Sequence, residues 1–423
     1  MGSEKNRPWN LKKNLRNSKS KNGNLSEENE IRDIALERWA NLGRTIAHTE
    51  GKTAFIKAGI PGEIVTVLLE KEKSELLWGR VKSVRNSSPS RIGTDCSSFP
   101  ECGGCSYRHV SYEEELDIKK GLLLDTLQGI AKFDRSRLPA IAILSGPSDH
   151  YRNTAQIKLL RTKKGILPGF YRENSNLFVR LPEEGCRQLP KEMNEYLSFV
   201  LKDSTRWTNK EECRLRFFGN SVFEYDKEEA TVGPFFEEGL VWKIPAGGFT
   251  QVNRFLVQPW LERIRSWIPA GTESVLELYC GAGLISLSLS AKIKRLIGYE
   301  LSGRSVRMAR ENAETAGRKN LSFEVLDLEK ESLPEKISSE SDLWILNPPR
   351  SGAAKKVMAS LELRKPRSLI YSSCNHTTLA RDLRALDEFG YRIEDLVLAD
   401  FFPRTHHFEV LVRLQRNGNK THS

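Results

Sequence analysis

Three rhythms of apolar and polar positions follow one another along the 423-residue chain. Residues 35–87 carry short runs, "GRTIAHTEG", "KTAFIKAG", "IVTVLLEK" and "LWGRVKSVRN", broken by the turn "IPGE". Short β-type runs at such close spacing predict a small barrel of the oligonucleotide-binding kind. Residues 88–250 mix one amphipathic helix, "YEEELDIKKGLLLDTLQGI", with strand-like runs such as "AQIKLLRT", "LFVRL" and "CRLRFF", an α+β region. From residue 251 to 416 the rhythm becomes strand, helix, strand, helix. "SVLELY", "RLIGYE", "LSFEVLD", "DLWILN" and "SLIYSS" alternate with "ISLSLSAKI", "GRSVRMARENAETAG" and "TTLARDLRALDEF". That alternation predicts an α/β, doubly wound sheet, with ligands at the carboxyl ends of its strands.

Composition narrows the class. At 39% hydrophobic residues, and with no apolar run of the ~20 residues a membrane crossing needs, no membrane association is expected. The N-terminal stretch is basic and polar, lacks the apolar core of a secretory signal, and points to a cytoplasmic protein. The formal charge of +11 calls for a polyanionic partner. Between residues 1 and 21, Lys5, Arg7, Lys12, Lys13, Arg16, Lys19 and Lys21 face only Glu4, and residues 1–34 read as a disordered basic arm that either touches RNA phosphates or merely solubilises the chain. Residues 417–423 read as a tail. Tyr151, Arg152, Lys158, Arg161 and Tyr171 suit an RNA-facing surface in the central region.

The candidate chemistry gathers at strand ends. "VLELYCGAGLISLSLS" is a strand, a Gly-x-Gly turn at Gly281 and Gly283, and a helix. Glu300 ends the next strand at the spacing that sets a carboxylate on ribose hydroxyls. The third glycine of a dinucleotide fingerprint is absent, Ile285 and Ser286 following instead, which points away from pyrophosphate and toward S-adenosylmethionine. Asp327 closes a third strand and is expected at the adenine end. "NPPR", Asn347 to Arg350, closes a fourth, its prolines stiffening a loop against a planar ligand. Cys374 lies where "SLIYSS" gives way to a helix, and the positive end of a helix promotes ionisation of a thiol. Cys374 is therefore a candidate nucleophile.

"GGFTQVN", "ELYCGAG", "NPPR", "YSSCNHTTLARDL" and "DFFPRTHHFEVLVRL" resemble, in order and spacing, the RNA 5-methyluridine methyltransferase family. The region with "GIPGE" resembles its TRAM domain, and "CSSFPECGGCSYRH" its iron-sulfur motif, so the likeness spans residues 35–416. It implies covalent catalysis. Uracil C5 is a weak nucleophile, so a thiolate, here Cys374, adds at C6 and makes C5 enolate-like; a base then removes the C5 proton. By resemblance that base is Glu409, which sequence alone reads as a solvated strand residue. Gln251, Tyr279, Glu300 and Asn347 correspond to cofactor positions. Asn347 stands where the family commonly has Asp, and Leu284 where many members have Asn.

Cys96, Cys102 and Cys105 form C-x5-C-x2-C, and Cys186 matches the distant fourth ligand of the iron-sulfur members. Four cysteine thiolates hold either zinc or a [4Fe-4S] cluster. The resemblance implies the cluster, in a structural role. Cys213 and Cys280 read as packing residues, and His406 and His407 as pocket lining without a role. The expected function is methylation of C5 of a uridine in RNA, large-subunit 23S rRNA by resemblance, by a monomer. The competing readings are a non-catalytic iron-sulfur RNA-binding or ribosome-assembly protein, and N-methylation of a nucleobase amine through "NPPR".

Overall fold

The computed structural model describes residues 30–163, 165–202, 210–224, 230–234, 241–245, 247–334 and 341–416. Most of the basic arm and the tail lie outside the described residues. The first unit is a six-stranded sheet of β1 (Glu30–Ala35), β2 (Arg38–Ala40), β3 (Arg44–Thr49), β4 (Lys52–Lys57), β5 (Ile64–Glu72) and β6 (Leu76–Asn86), in the order β1-β5-β6-β4-β3-β2. Its core is Ile34, Ala47, Ala54, Ile56, Val65, Val67 and Leu77. Residues 30–34, expected in the disordered arm, are a strand. Ile34 is buried and β1 pairs with β5, so the apolar residues of the arm's end complete an otherwise open edge.

The second unit is a five-stranded sheet, β10-β9-β8-β11-β12, of β8 (Thr154–Thr162), β9 (Gly165–Tyr171), β10 (Phe178–Arg180), β11 (Glu212–Phe218) and β12 (Ser221–Glu224). Met193, Leu197 and Val200 of α2 (Lys191–Val200) cover one face, meeting Ala155, Ile157, Leu215 and Phe217. A two-stranded ribbon, β13 (Ala230–Pro234) with β14 (Val241–Pro245), follows.

The third unit is an eight-stranded sheet, β17-β16-β15-β18-β19-β21-β20-β7. It comprises β15 (Ser274–Leu278), β16 (Arg295–Glu300), β17 (Leu321–Val325), β18 (Leu343–Leu346), β19 (Ser368–Ser373), β20 (Tyr391–Ala399), β21 (Glu409–Arg416) and the early β7 (Ile141–Leu144). Its helices are α3 (Val257–Ser266), α4 (Leu284–Leu289), α5 (Gly303–Thr315), α6 (Lys355–Arg364) and α7 (His376–Glu388), together with α1 (Tyr112–Gly129) from earlier in the chain. β15, β18 and β19 are buried on both faces, as their largely apolar runs require of parallel strands. Leu276, Trp344, Leu369 and Tyr371 form one core layer; Val275, Ile345, Ile370 and Leu411 form the other.

Pattern reading groups residues 112–144 with the central region. In the structure α1 packs against α7, and β7 pairs in parallel with β20 at the edge of the third sheet. A buried charge cluster fixes the crossover. Lys119 Nζ donates to Glu115 Oε1 at 2.6 Å and to Asp400 Oδ1 at 2.7 Å, and Tyr112 donates to Asp400 Oδ2 at 2.9 Å. Sequence direction in the sheet reverses between β15 and β18, and the carboxyl ends of these two strands open the crevice where ligands of such sheets bind.

Candidate active site and cysteine cavity

β15 ends at Leu278 and hands the chain to Tyr279, whose φ of 63° is left-handed. A bulky residue holds that conformation only where its surroundings fix it. Here the Tyr279 hydroxyl accepts from Ala354 N at 3.0 Å, tying the turn to the loop after β18. Gly281 N donates to Glu300 Oε2 at 3.2 Å and Ser302 N to Glu300 Oε1 at 2.8 Å, so the carboxylate at the end of β16 is pinned from both sides. At Gly283, φ is 80° and a Cβ would stand 3.0 Å from Phe323 Cζ, so glycine lets α4 start flush against the sheet.

These turns wall a cavity of about 640 Å³ that brings together Tyr279, Gly281, Glu300, Asp327, Asn347, Cys374 and Glu409. Gln251 and Gly283 do not line it. Gln251 is buried behind it, its carbonyl accepting from Asn153 Nδ2 at 2.9 Å, where it joins the central sheet to the loop ahead of α3. Asp327 borders the cavity and also shapes its own turn, accepting from Glu329 N at 3.2 Å and pairing with Lys330 at 3.0 Å. That lysine holds the Asp327 carboxyl below its ordinary range.

Cys374 and Glu409 face each other. The last paired residues of β19 and β21 are Ser373 and Val410, so the next step of the same register sets Cys374 opposite Glu409. Glu409 is buried rather than solvated; burial lifts its carboxyl to about 7, opposed by a hydrogen bond from Ser372 Oγ at 3.0 Å. The thiol differs from expectation as well. The helix start is capped by Asn375, whose Oδ1 accepts from Thr377 N at 3.1 Å, while burial and the nearby Glu409 push the Cys374 thiol up from its usual range. Arg350 opposes that rise by its charge and by a hydrogen bond. The resting group is a thiol, and the guanidinium is what steadies it when ionised.

Arg350 also lines a second cavity, of about 460 Å³, whose walls include Cys96, Cys102, Cys105, Cys186, His406 and His407. Its Nη2 donates to His407 Nε2 at 3.4 Å. The two histidines thus border the cysteines and not the Cys374 pocket. Burial pushes Cys105 up to about 12 and Cys186 to about 11. Yet N–H groups converge on the sulfurs: Arg108 Nε at 3.3 Å and Gln188 Nε2 at 3.1 Å on Cys105, and Gly104 N at 3.4 Å on Cys102. Among the described residues no three histidine, cysteine or carboxylate side chains are gathered closely enough to hold one metal ion. Cys213 and Cys280 pack in separate cores.

Sequence reading assigned Arg350 no role. The available cue was a guanidinium directly after the paired prolines of "NPPR". Phe249 and Leu301, both well exposed at the cavity mouth, were also missed; an aromatic inside "GGFTQVN" was the available cue.

Residues 227–417 match the family model described as tRNA (Uracil-5-)-methyltransferase. An uncharacterized RNA methyltransferase of Leptospira interrogans serogroup Icterohaemorrhagiae serovar Lai is 44% identical over 386 residues, covering 89% of this chain and 93% of that protein. The 23S rRNA (uracil(1939)-C(5))-methyltransferase RlmD of Shewanella amazonensis is 29% identical, over 89% of this chain and 94% of its own length. The solved Pyrococcus abyssi tRNA (uracil-54, C5)-methyltransferase, in complex with S-adenosyl-L-homocysteine, has the same fold, with a TM-score of 0.70 at 21% identity over 90% of this chain and 99% of that one.

Proposed function

Because the chain belongs to the RNA uracil-C5 methyltransferase family and is an S-adenosylmethionine-dependent enzyme of that kind, we propose that it methylates one uridine of 23S rRNA through a covalent bond from Cys374. The observation that carries this reading is the facing pair, Cys374 and Glu409, on the wall of the cavity that Glu300 and Asn347 also line.

Bound S-adenosylmethionine supplies a methyl group on a sulfonium sulfur, which keeps the bonding pair when the methyl leaves. The residues do the rest. Glu300, with one lone pair on each oxygen taken by backbone N–H, offers its remaining acceptor sites to the ribose hydroxyls. Asn347 and the stiff Pro348–Pro349 turn line the same cavity and would help hold the cofactor there. Cys374 sheds its proton to solvent beside Arg350 and bonds to C6, and the C5=C6 pair moves to C5, which takes the methyl group. Glu409 removes the C5 proton; that C–H pair restores the double bond and expels the Cys374 thiolate. A carboxyl titrating near 7 suits a base in a buried site, able to take the proton and then release it.

Cys96, Cys102, Cys105 and Cys186 are read as ligands of a [4Fe-4S] cluster that pins the loops around the cysteine cavity. Buried sulfurs that collect N–H donors are built for thiolates, and burial favours thiolates only when a metal centre carries the opposing charge. All four border one cavity, and the choice of a cluster over zinc follows the likeness of their motif to the family's iron-sulfur members. The six-stranded unit is read as a TRAM-like module that grips RNA with the central sheet, in a cytoplasmic monomer. The test is intact-mass analysis with S-adenosylmethionine and RNA carrying 5-fluorouridine, where fluorine replaces the departing proton. An adduct that requires Cys374 supports the mechanism, and its mapped position names the uridine; no adduct from cofactor-binding protein overturns it.

A further inference from the structure

The β19–β21 ladder holds the reactive pair from one side only. Cys374 and Glu409 sit one step past its last pair; Glu409 is still paired on its other edge with Ala399 of β20, and the chain runs from Cys374 into the start of α7 and reaches Glu409 from the loop 400–408. Among the described residues, a ring contact bridges the start of α7 and the end of that loop: the His376 ring stacks on Phe408, centroids 4.9 Å apart and planes 15° apart. His376 is two residues beyond the nucleophile, and Phe408 immediately precedes the base.

The imidazole is itself anchored. His376 Nδ1 lies 2.8 Å from Thr126 Oγ1 of α1, and the same hydroxyl is 2.8 Å from Leu122 O. A hydroxyl has one proton to give. With that proton on the Leu122 carbonyl, Nδ1–H donates to Thr126, which fixes both tautomer and ring plane. The ring is neutral, since burial holds its titration down near 4. α1 is in turn locked to the far end of the same loop by Lys119 and Asp400. One helix thus braces the loop before Glu409 at its start, and braces its last residue through His376.

We propose that His376 is a positioning residue for methyl transfer: held by Thr126 and stacked on Phe408, it closes the open end of the β19–β21 ladder and keeps Glu409 in register with the carbon bonded to Cys374. This rests on the covalent mechanism proposed above. Cys374 keeps other ties, because Asn375 Nδ2 and Thr378 Oγ1 both donate to Arg350 O, at 2.9 and 3.2 Å. Glu409 keeps its pairing with Ala399 and the hydrogen bond from Ser372 Oγ, and on its N-terminal side it is steadied through Phe408. Removing the ring loosens that approach to the base while the ties around Cys374 stay, and the step that suffers is proton removal.

Two assays separate the steps, using the full chain with S-adenosylmethionine. RNA with 5-fluorouridine reads addition and methyl transfer, which do not need Glu409; ordinary RNA reads the complete cycle. For His376→Ala the expected result is adduct formation on fluorinated RNA within about threefold of wild type, and turnover of ordinary RNA slowed about tenfold. A denaturant-stable protein–RNA complex should build up on ordinary RNA at the same time. His376→Phe, which keeps the stack, should recover most of the turnover; Thr126→Val, which leaves the imidazole N–H without its anchor, should fall between. Equal loss in both assays, or no loss in either, overturns the proposal. A wild-type protein that forms no fluorinated adduct instead overturns the covalent reading beneath it.

Discussion

Asn375 Nδ2 donates to the carbonyl of Arg350 at 2.9 Å, bolting the loop after β18 to the loop that presents Cys374. Thr378 Oγ1 donates to the same carbonyl. The backbone of Arg350 is thereby a fixed part of the seat of Cys374, and its side chain acts on the sulfur from one side and on His407 from the other.

Arg350→Lys keeps the carbonyl and its two hydrogen bonds while losing the planar guanidinium. The thiol should then rise further, and adduct formation on 5-fluorouridine RNA at pH 7 should slow by about tenfold or more. Raising the pH to 9 should return part of that loss, because it supplies thiolate directly. Adduct formation followed by denaturing gel at both pH values is the check; an unchanged rate would remove Arg350 from the mechanism.

Glu409→Gln should allow Cys374 to add and the methyl group to transfer, then stop. Methylated RNA bound covalently to protein is the expected product, visible by mass on ordinary uridine RNA. In the wild type the base works deprotonated, so release of product should rise with pH through about 7, the value to which burial lifts this carboxyl. A single-turnover pH profile of product release reads it directly.

The same group carries a stability prediction. A carboxyl that titrates near 7 when folded and near 4.5 when exposed binds more protons in the native state, so its ionisation costs stability as pH rises between those values. The full cost, of order 3 kcal/mol, is present above pH 7. Glu409→Gln, which keeps an acceptor for Ser372, should raise Tm at pH 8 and leave it nearly unchanged at pH 4. Thermal denaturation of the pair at both pH values measures the difference.

Lys119 is fully buried between Glu115 and Asp400. Lys119→Met removes the cation and strands two carboxylates, a change expected to cost about 3–5 kcal/mol in denaturant unfolding. Because α1 also carries Thr126, turnover should fall with it.

Cys105→Ser and Cys186→Ser should lower iron and sulfide content in protein purified without oxygen, and lower Tm with it. Cys213→Ser, in the core under α2, should cost stability without changing iron content. Retained iron in both of the first two variants would exclude these cysteines as ligands.

The third sheet was legible because parallel strands buried on both faces are rich in apolar residues, as "SVLEL", "LWIL" and "SLIYSS" are at their centres. The strand-end motifs were legible for a related reason: turns at a sheet's carboxyl edge need glycines, prolines and carboxylates at fixed spacing. The crossover of residues 112–144 was not, since an amphipathic helix states that it has a partner and not which sheet supplies it. The burial of Glu409, the raised thiol of Cys374, the guanidinium of Arg350 beside it and the stacking of His376 on Phe408 are matters of distance between segments far apart in the chain. Which residues end each strand, and which chemistry they can carry, is written along the chain. Which of them meet, and what burial does to their protons, is set by packing, because desolvation and charge act through space and not along the chain.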